Sequence, residues 1–438
     1  MIIPADRRLP TRFILAFWLP LAATWLMMAV EGPFIAAIIA RMPDAAYNLA
    51  AYGVAFALGW LAESPIMMLL TAANALVANR QSFLALRRFT FLLNAGVTLS
   101  LLVGVLPPVF EFITGRLIGL PPEVARLAHV ATALLIPWPA AIGYRRFYQG
   151  ILVRHHLTRR VAYGTVIRLA AMSTTAAALA WMSRMPGAAI GAIALSTGVV
   201  AEAAASRWMA RHLVTQLLSE APDASAPVLS LRDIGRFYFP LALTSVISLV
   251  TGPLVTFFLG HSRSPIESLA VWPVVNAFVF MFRSGGIGYQ EVSVALSGPR
   301  GNHVPEVRRV GALLAAAASV ALGIIVFSPL IEIWFRVVVG LQADLRAFAI
   351  APVRIMVLLP ALEYALSFQR AQLILGRQTR MVTIATSVEA VGLATALVVC
   401  VGTFDLVGAL AAAVAVLTGR LAANAFLLIP TTTTGRYR

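Results

Sequence analysis

Residues 280–291 read FMFRSGGIGYQE, inside a segment that is otherwise apolar from Ser268 to Leu296. Arg283 brings a planar guanidinium with five donors, the group best suited to carboxylate or phosphate oxygens. Gly285, Gly286 and Gly288 expose backbone N–H groups to an approaching anion. This chemistry fits half of an ion or substrate site, or a kinked helix with an internal ion pair. A nucleotide-binding loop is excluded, because SGGIGYQ has neither the P-loop spacing nor a preceding strand. The pattern recurs at an offset of 220 residues, where Glu63 in LAESPIMM stands at the place of Arg283. Each copy is a charge followed by a helix breaker, Pro65 in one and Gly285-Gly286 in the other. Both helices are therefore expected to be interrupted there, and a Glu63–Arg283 salt bridge is one expected contact.

Other charges lie at apolar depth. Arg168 and Glu389 match at an offset of 221, and the mirror of Glu363 is Ile142, with Arg145 one turn beyond. Glu31 sits in MMAVEGPF just before Gly32-Pro33, and Glu202, Arg207, Arg354 and Arg420 complete the set. A charge there costs several kcal/mol unless it faces a partner or water, so each is a functional candidate. The candidate substrate-binding groups are Arg283, Arg354, Arg145 and Arg168. The candidate ion-coupling or gating groups are Glu31, Glu63, Glu363 and Glu389. Pro33, Pro65, Gly285 and Gly286 are the candidate helix breakers. Arg145-Arg146 in GYRRFYQG equally suit snorkelling to headgroups.

Enzyme chemistry has no constellation to work with. Of the six histidines only His155-His156 are close, and neighbours in sequence do not share a helix face. No G-x-S-x-G elbow and no paired-aspartate magnesium site occurs. Cys400 is the single cysteine, which excludes a disulfide or cysteine-metal framework. Neither cofactor nor metal is expected.

These residues need a membrane to position them. The 438 residues are 60% hydrophobic and 12% charged, about half the charge of a soluble domain. Apolar runs reach the length of a bilayer span: 13–40, 46–78, 89–114, 124–150, 160–182 and 187–213, then 234–260, 266–296, 310–336, 346–373, 381–401 and 404–430. FWLPLAAT at 17–24 repeats as FYFPLALT at 237–244. Gly32-Pro33 matches Gly252-Pro253, Gly119 matches Gly340, and Pro139 matches Pro360. Six runs per half make the halves parallel repeats. The domains are expected at 1–218 and 231–438, joined by the polar linker SEAPDASAPVLS at 219–230. The first run shows no cleavage site, so a retained helix is expected. All 34 basic residues are arginine, and the net charge is +16. They cluster in alternate connections: Arg7, Arg8 and Arg12, then Arg80, Arg87 and Arg88, then Arg154, Arg159 and Arg160, then Arg300, Arg308 and Arg309. The positive-inside rule then puts both termini in the cytoplasm, and this topological use of arginine disfavours a nucleic-acid partner.

LPLAATWLMMAVEGPF, LAAYGVAFAL, GILVRHHLT, FPLALTSVISLVTGPLVTFFLG and APVRIMVLLPAL resemble segments of the progressive ankylosis protein family, in order from about Ile14 to Leu428. VEGP departs from that family's first-helix pattern, and the long acidic tail of its animal members is missing. The resemblance implies the fold of the multidrug/oligosaccharidyl-lipid/polysaccharide exporter superfamily, two six-helix bundles in a V. It implies export of small polyanions, namely citrate and other di- and tricarboxylates, pyrophosphate or a nucleotide. Arg354 falls in the matching PVRI stretch. The expectation is a monomeric twelve-helix secondary transporter of the bacterial inner membrane, working by alternating access. Its cavity would be lined by the first, second, fourth and fifth helices and their repeats. A flippase for an anionic lipid-linked precursor also needs a basic cavity. A cation or drug exporter would want more carboxylates, and a non-transporting scaffold has no use for so many charges at membrane depth.

Overall fold

Apolar runs of bilayer length become helices because a helix satisfies every backbone polar group internally. The computed structural model describes residues 9–155, 157–219, 230–297, 303–375 and 378–433. Among them, eleven helices are long and apolar enough to cross a membrane. They are α1 (Thr11–Ile39), α2 (Ala45–Asn74), α3 (Arg80–Val105), α4 (Pro122–Arg154), α5 (Arg159–Met182) and α6 (Gly187–Met209). After α7 come α8 (Pro265–Leu296), α9 (Val304–Val326), α10 (Ala343–Leu375), α11 (Arg380–Gly402) and α12 (Gly408–Leu428). The seventh apolar run forms α7 in two pieces, Leu231–Leu249 and Thr251–Gly260. The chain is an all-α, multi-pass membrane protein. Most of the expected linker, 220–229, lies outside the described residues, as do Arg7, Arg8, His156 and Arg300.

The chain forms two compact units, one spanning Ile38–Phe257 and the other joining the residues up to Ala37 with those from Phe258 onward. These units differ from the halves drawn at 219–230, because the first helix of each half packs with the bundle of the other. In unit one, the Tyr238 hydroxyl of α7 donates to the Pro65 carbonyl at 2.6 Å, and its ring meets Phe89 edge-on at 5.2 Å. In unit two, Trp18 Nε1 of α1 donates to the Gly285 carbonyl at 2.9 Å. Ile14 is buried there with Tyr289, Val292 and Val310.

Local structure repeats along the chain. Asp44 and Ser264 precede α2 and α8 with φ of 52° and 56°. Gly119 and Gly340 end short π-helical turns, Phe112–Ile118 and Trp334–Val339, with φ of 75° and 82°. That left-handed conformation suits glycine. The helix α4 pauses at Leu135-Ile136 and restarts at Pro137, while α10 tightens into a 3-10 turn at Met356–Leu358. These two interruptions are equivalent in the repeat, and they precede the segments that carry Arg145 and Glu363.

The opening stretch behaves differently from expectation. In α2 the α-helix stops at Glu63, a 3-10 turn covers Ser64–Ile66, and helix resumes at Leu69. In α8 the helix runs unbroken from Pro265 to Leu296, through Gly285 and Gly286. Likewise α1 continues through Pro33. Glycine keeps its N–H and so its place in the ladder, whereas Pro65 cannot donate. The glycines of α8 admit neighbours instead. A Cβ on Gly285 would lie 2.6 Å from the Tyr364 hydroxyl, and one on Gly286 3.0 Å from Cγ of Glu363.

Candidate functional site

Small residues allow the charged helices to meet. The run GAAIGAIALSTGVVAEAAAS makes α6 the most deeply buried of the eleven spans. Small faces of this kind let membrane helices approach closely. A Cβ on Gly198 would stand 3.0 Å from the Arg168 carbonyl, and one on Gly419 2.6 Å from the Glu389 carbonyl. Equivalent glycines therefore set the crossing of α5 on α6 and of α11 on α12, each beside a charged residue.

In unit one, this crossing presents Glu202 of α6 to α4 and α5. Glu202 is 1% exposed. Arg145 donates NH1 to its Oε2, and Gln149 Nε2 donates to its Oε1 at 3.1 Å. Arg145 and Gln149 are four residues apart, so both point to one side of α4. Arg168 NH1 of α5 lies 3.8 Å from the same Oε2. Arg146 turns to Met67, with NH2 3.5 Å from its sulfur, and stays within the field of Arg145, Arg168, Glu63 and Glu202.

Unit two has its own cluster. Arg283 of α8 donates Nε at 3.0 Å and NH2 at 2.6 Å to Oε2 of Glu363 on α10. Arg420 NH1 of α12 donates to the other oxygen at 3.2 Å. Its NH2 lies 3.0 Å from Glu389 Oε1 on α11. Arg370 NH2 is 3.8 Å from Glu389 Oε2 and donates to Thr386 Oγ1 at 3.2 Å. Burial strengthens charge-assisted hydrogen bonds, and pairing offsets much of the desolvation cost of each ion.

The two clusters are charge-reversed copies. Glu63 corresponds to Arg283, and Arg168 to Glu389. Glu202 of α6 and Arg420 of α12 stand within a turn of equivalent places, as do Arg145 of α4 and Glu363 of α10. Yet both clusters hold three arginines against two glutamates. Unit one has Arg145, Arg146 and Arg168 with Glu63 and Glu202. Unit two has Arg283, Arg370 and Arg420 with Glu363 and Glu389. Within each cluster the arginines outnumber the glutamates by one, while unit two also buries Glu31 on α1.

Of the candidates read from the sequence, Arg145 and Arg168 meet at Glu202, while Arg283, Glu363 and Glu389 belong to the unit-two cluster. Within its own unit, Arg283 is engaged by Glu363. Gly286 is the reason, since its missing side chain lets Glu363 reach α8. Arg354 stands apart, exposed near the end of the first segment of α10, its guanidinium carbon 5.7 Å from the Phe327 ring centroid. Glu31 is buried on α1, and Glu63 is buried where α2 breaks. Glu202 and Arg420 prove to be the hubs, although the sequence marked them only as charges at depth. Gln149 and Arg370 were missed. Their signal was spacing, four residues from Arg145 and seven from Glu363.

No family model and no curated protein matches the sequence. Solved structures do match its fold. An inward-facing multidrug resistance MATE family transporter of the MOP superfamily aligns over 95% of this chain and 97% of its own, at TM-score 0.74 and 14% identity. The fold is that of the MOP superfamily. The lipid II flippase MurJ, in an inward closed conformation, covers 94% of this chain and 87% of its own, with TM-score 0.67 and 13% identity. A MOP superfamily transporter from Pyrococcus furiosus, described as having a binding pocket of reversed polarity, matches over 98% of both chains at TM-score 0.64 and 13% identity.

Proposed function

We propose that the chain is a secondary transporter that exports small polyanions by alternating access: citrate and other di- or tricarboxylates, pyrophosphate or a nucleotide. The reading places it in the bacterial inner membrane with both termini cytoplasmic, and groups it with the progressive ankylosis proteins. The observation that carries it is an arginine-rich ion-pair cluster within each unit, three arginines to two glutamates, in a fold shared with solved transporters. A substrate anion would compete with Glu363 for Arg283, whose side chain is 12% exposed. Loading the site would then free a buried carboxylate from its guanidinium, and the ion-pair network would rearrange with it. Arg354, Arg145 and Arg168 are the further cationic contacts in this reading, with Glu31, Glu63 and Glu389 as gating groups.

A second reading is flipping of an anionic lipid-linked precursor. It is supported by the likeness to a lipid II flippase, and it draws on the same arginines. Counterflow in proteoliposomes separates the readings, using labelled citrate, labelled pyrophosphate, an organic cation and a lipid-linked pyrophosphate. Saturable exchange of a small anion is expected. Exchange of the organic cation with neither anion would overturn the proposal, and movement of the lipid-linked substrate alone would favour the flippase.

A further inference from the structure

A second basic surface lies apart from both clusters, on unit one. Between α4 and α6 runs a groove of about 690 Å³ lined by Ala140, Ala141, Val200, Ala203 and Ala204. Small apolar side chains give it an apolar floor, of the kind that suits a hydrocarbon chain. At one end the lining changes character. Arg207 stacks over Tyr148 at 5.3 Å, and Arg211 over Trp208 at 4.7 Å. Just past Trp208 the surface continues into a smaller pocket with Arg160, Tyr163 and His212. Arg160 is held in place by a 2.6 Å hydrogen bond to the Met209 carbonyl. Among the described residues, no carboxylate pairs with Arg207 or Arg211. Trp208 and Tyr163 are 63% and 60% exposed, the placement of aromatic side chains at a membrane interface.

An apolar groove ending in arginines and aromatics matches the outline of one kind of ligand. We propose that this surface is a binding site for an anionic phospholipid. An acyl chain lies along the alanine floor, and the phosphate accepts hydrogen bonds from Arg207 and Arg211. Stacking on Tyr148 and Trp208 holds both guanidinium planes in place before the lipid arrives, which lowers the ordering cost of binding. Basic pockets between membrane helices recognise acidic headgroups in this way. A zwitterionic lipid fits the groove equally well but brings its own cation to the arginines, so the site discriminates by headgroup charge.

The test is native mass spectrometry of the full-length protein in detergent, titrated with phosphatidylglycerol or with phosphatidylcholine. Wild type should bind phosphatidylglycerol more tightly by roughly an order of magnitude or more, at about fivefold per arginine. Arg207→Gln with Arg211→Gln should abolish that preference while phosphatidylcholine binding persists. Ala204→Trp, which fills the groove and leaves the arginines, should weaken both lipids. Arg211→Lys keeps the charge without the planar stack and provides a folded comparison if the double variant does not assemble; an intermediate preference is expected. Unchanged phosphatidylglycerol preference in the double variant or in Arg211→Lys would overturn the proposal. So would glycerol phosphate competing as well as the whole lipid, because the groove would then contribute nothing.

Discussion

Glu202→Gln is the sharpest perturbation of the unit-one cluster. The amide keeps the shape of the side chain but removes the one charge that Arg145 and Arg168 share. Both guanidinium groups are buried, 5% and 7% exposed, and the lost partner is 1% exposed, so water does little to compensate. Breaking a buried ion pair by neutralising one partner costs about 3–5 kcal/mol. Arg145 loses its charged hydrogen-bond partner and Arg168 a carboxylate at 3.8 Å, so the expected loss falls within that range. The assay is reversible unfolding in mixed detergent micelles, followed by tryptophan fluorescence. A double-mutant cycle with Arg145→Met should show positive coupling of at least about 1.5 kcal/mol, since removing the arginine relieves the damage done by removing the glutamate. The matching change Glu389→Gln should cost less, because that side chain is 19% exposed where Glu202 is 1% exposed, and water screens its pairs. Glu202→Gln within about 1 kcal/mol of wild type, with no coupling to Arg145, would refute the ion-pair hub.

Other consequences follow from the packing. Gly286→Ala places a methyl group 3.0 Å from Glu363 Cγ and 3.1 Å from Tyr364 Cδ2; it should cost about 1–3 kcal/mol in the same unfolding assay. Gly96→Ala, on α3 with nothing within 4 Å, should be neutral or stabilising by up to about 1 kcal/mol, as a control for helix propensity. Tyr238→Phe removes the bond to the Pro65 carbonyl and should cost about 1 kcal/mol, or more if that carbonyl is left dry. At the start of α7, hydrogen bonds from Ser230 hold the Asp233 carboxyl below its ordinary range. A depressed carboxylate adds stability that is present above its unfolded value and fades as pH falls through the folded one. Ser230→Ala should therefore raise the Asp233 midpoint in an NMR titration, and an unmoved midpoint would dismiss the cap.

The repeat was legible because its markers are residues with little freedom. Gly119 and Gly340 end equivalent turns in the left-handed region, and Pro139 and Pro360 follow equivalent interruptions. What the repeat could not reveal was contact. An offset of 220 makes Glu63 and Arg283 equivalent in position, but equivalence names no partner; within its own unit Arg283 meets Glu363. Hydropathy likewise says that α1 and α7 cross the membrane without saying which bundle receives each. That choice rests on long-range partners such as Trp18 with Gly285 and Tyr238 with Pro65. The charge reversal between the clusters was half visible in the Arg168–Glu389 match. The hubs Glu202 and Arg420 were harder to see, because each slips by up to a turn from the exact register.

Anion transport through Arg283 is the central claim, and counterflow of labelled citrate or pyrophosphate into proteoliposomes tests it most directly. Wild type, Arg283→Gln, Arg283→Lys and Arg354→Ala should be compared at matched protein incorporation. A charged hydrogen-bonded contact is worth about 1.5–3 kcal/mol, so Arg283→Gln should weaken half-saturation by about 10- to 150-fold. Arg283→Lys should fall between, restoring charge without the planar fork. Wild-type exchange of either anion by Arg283→Gln would contradict the account.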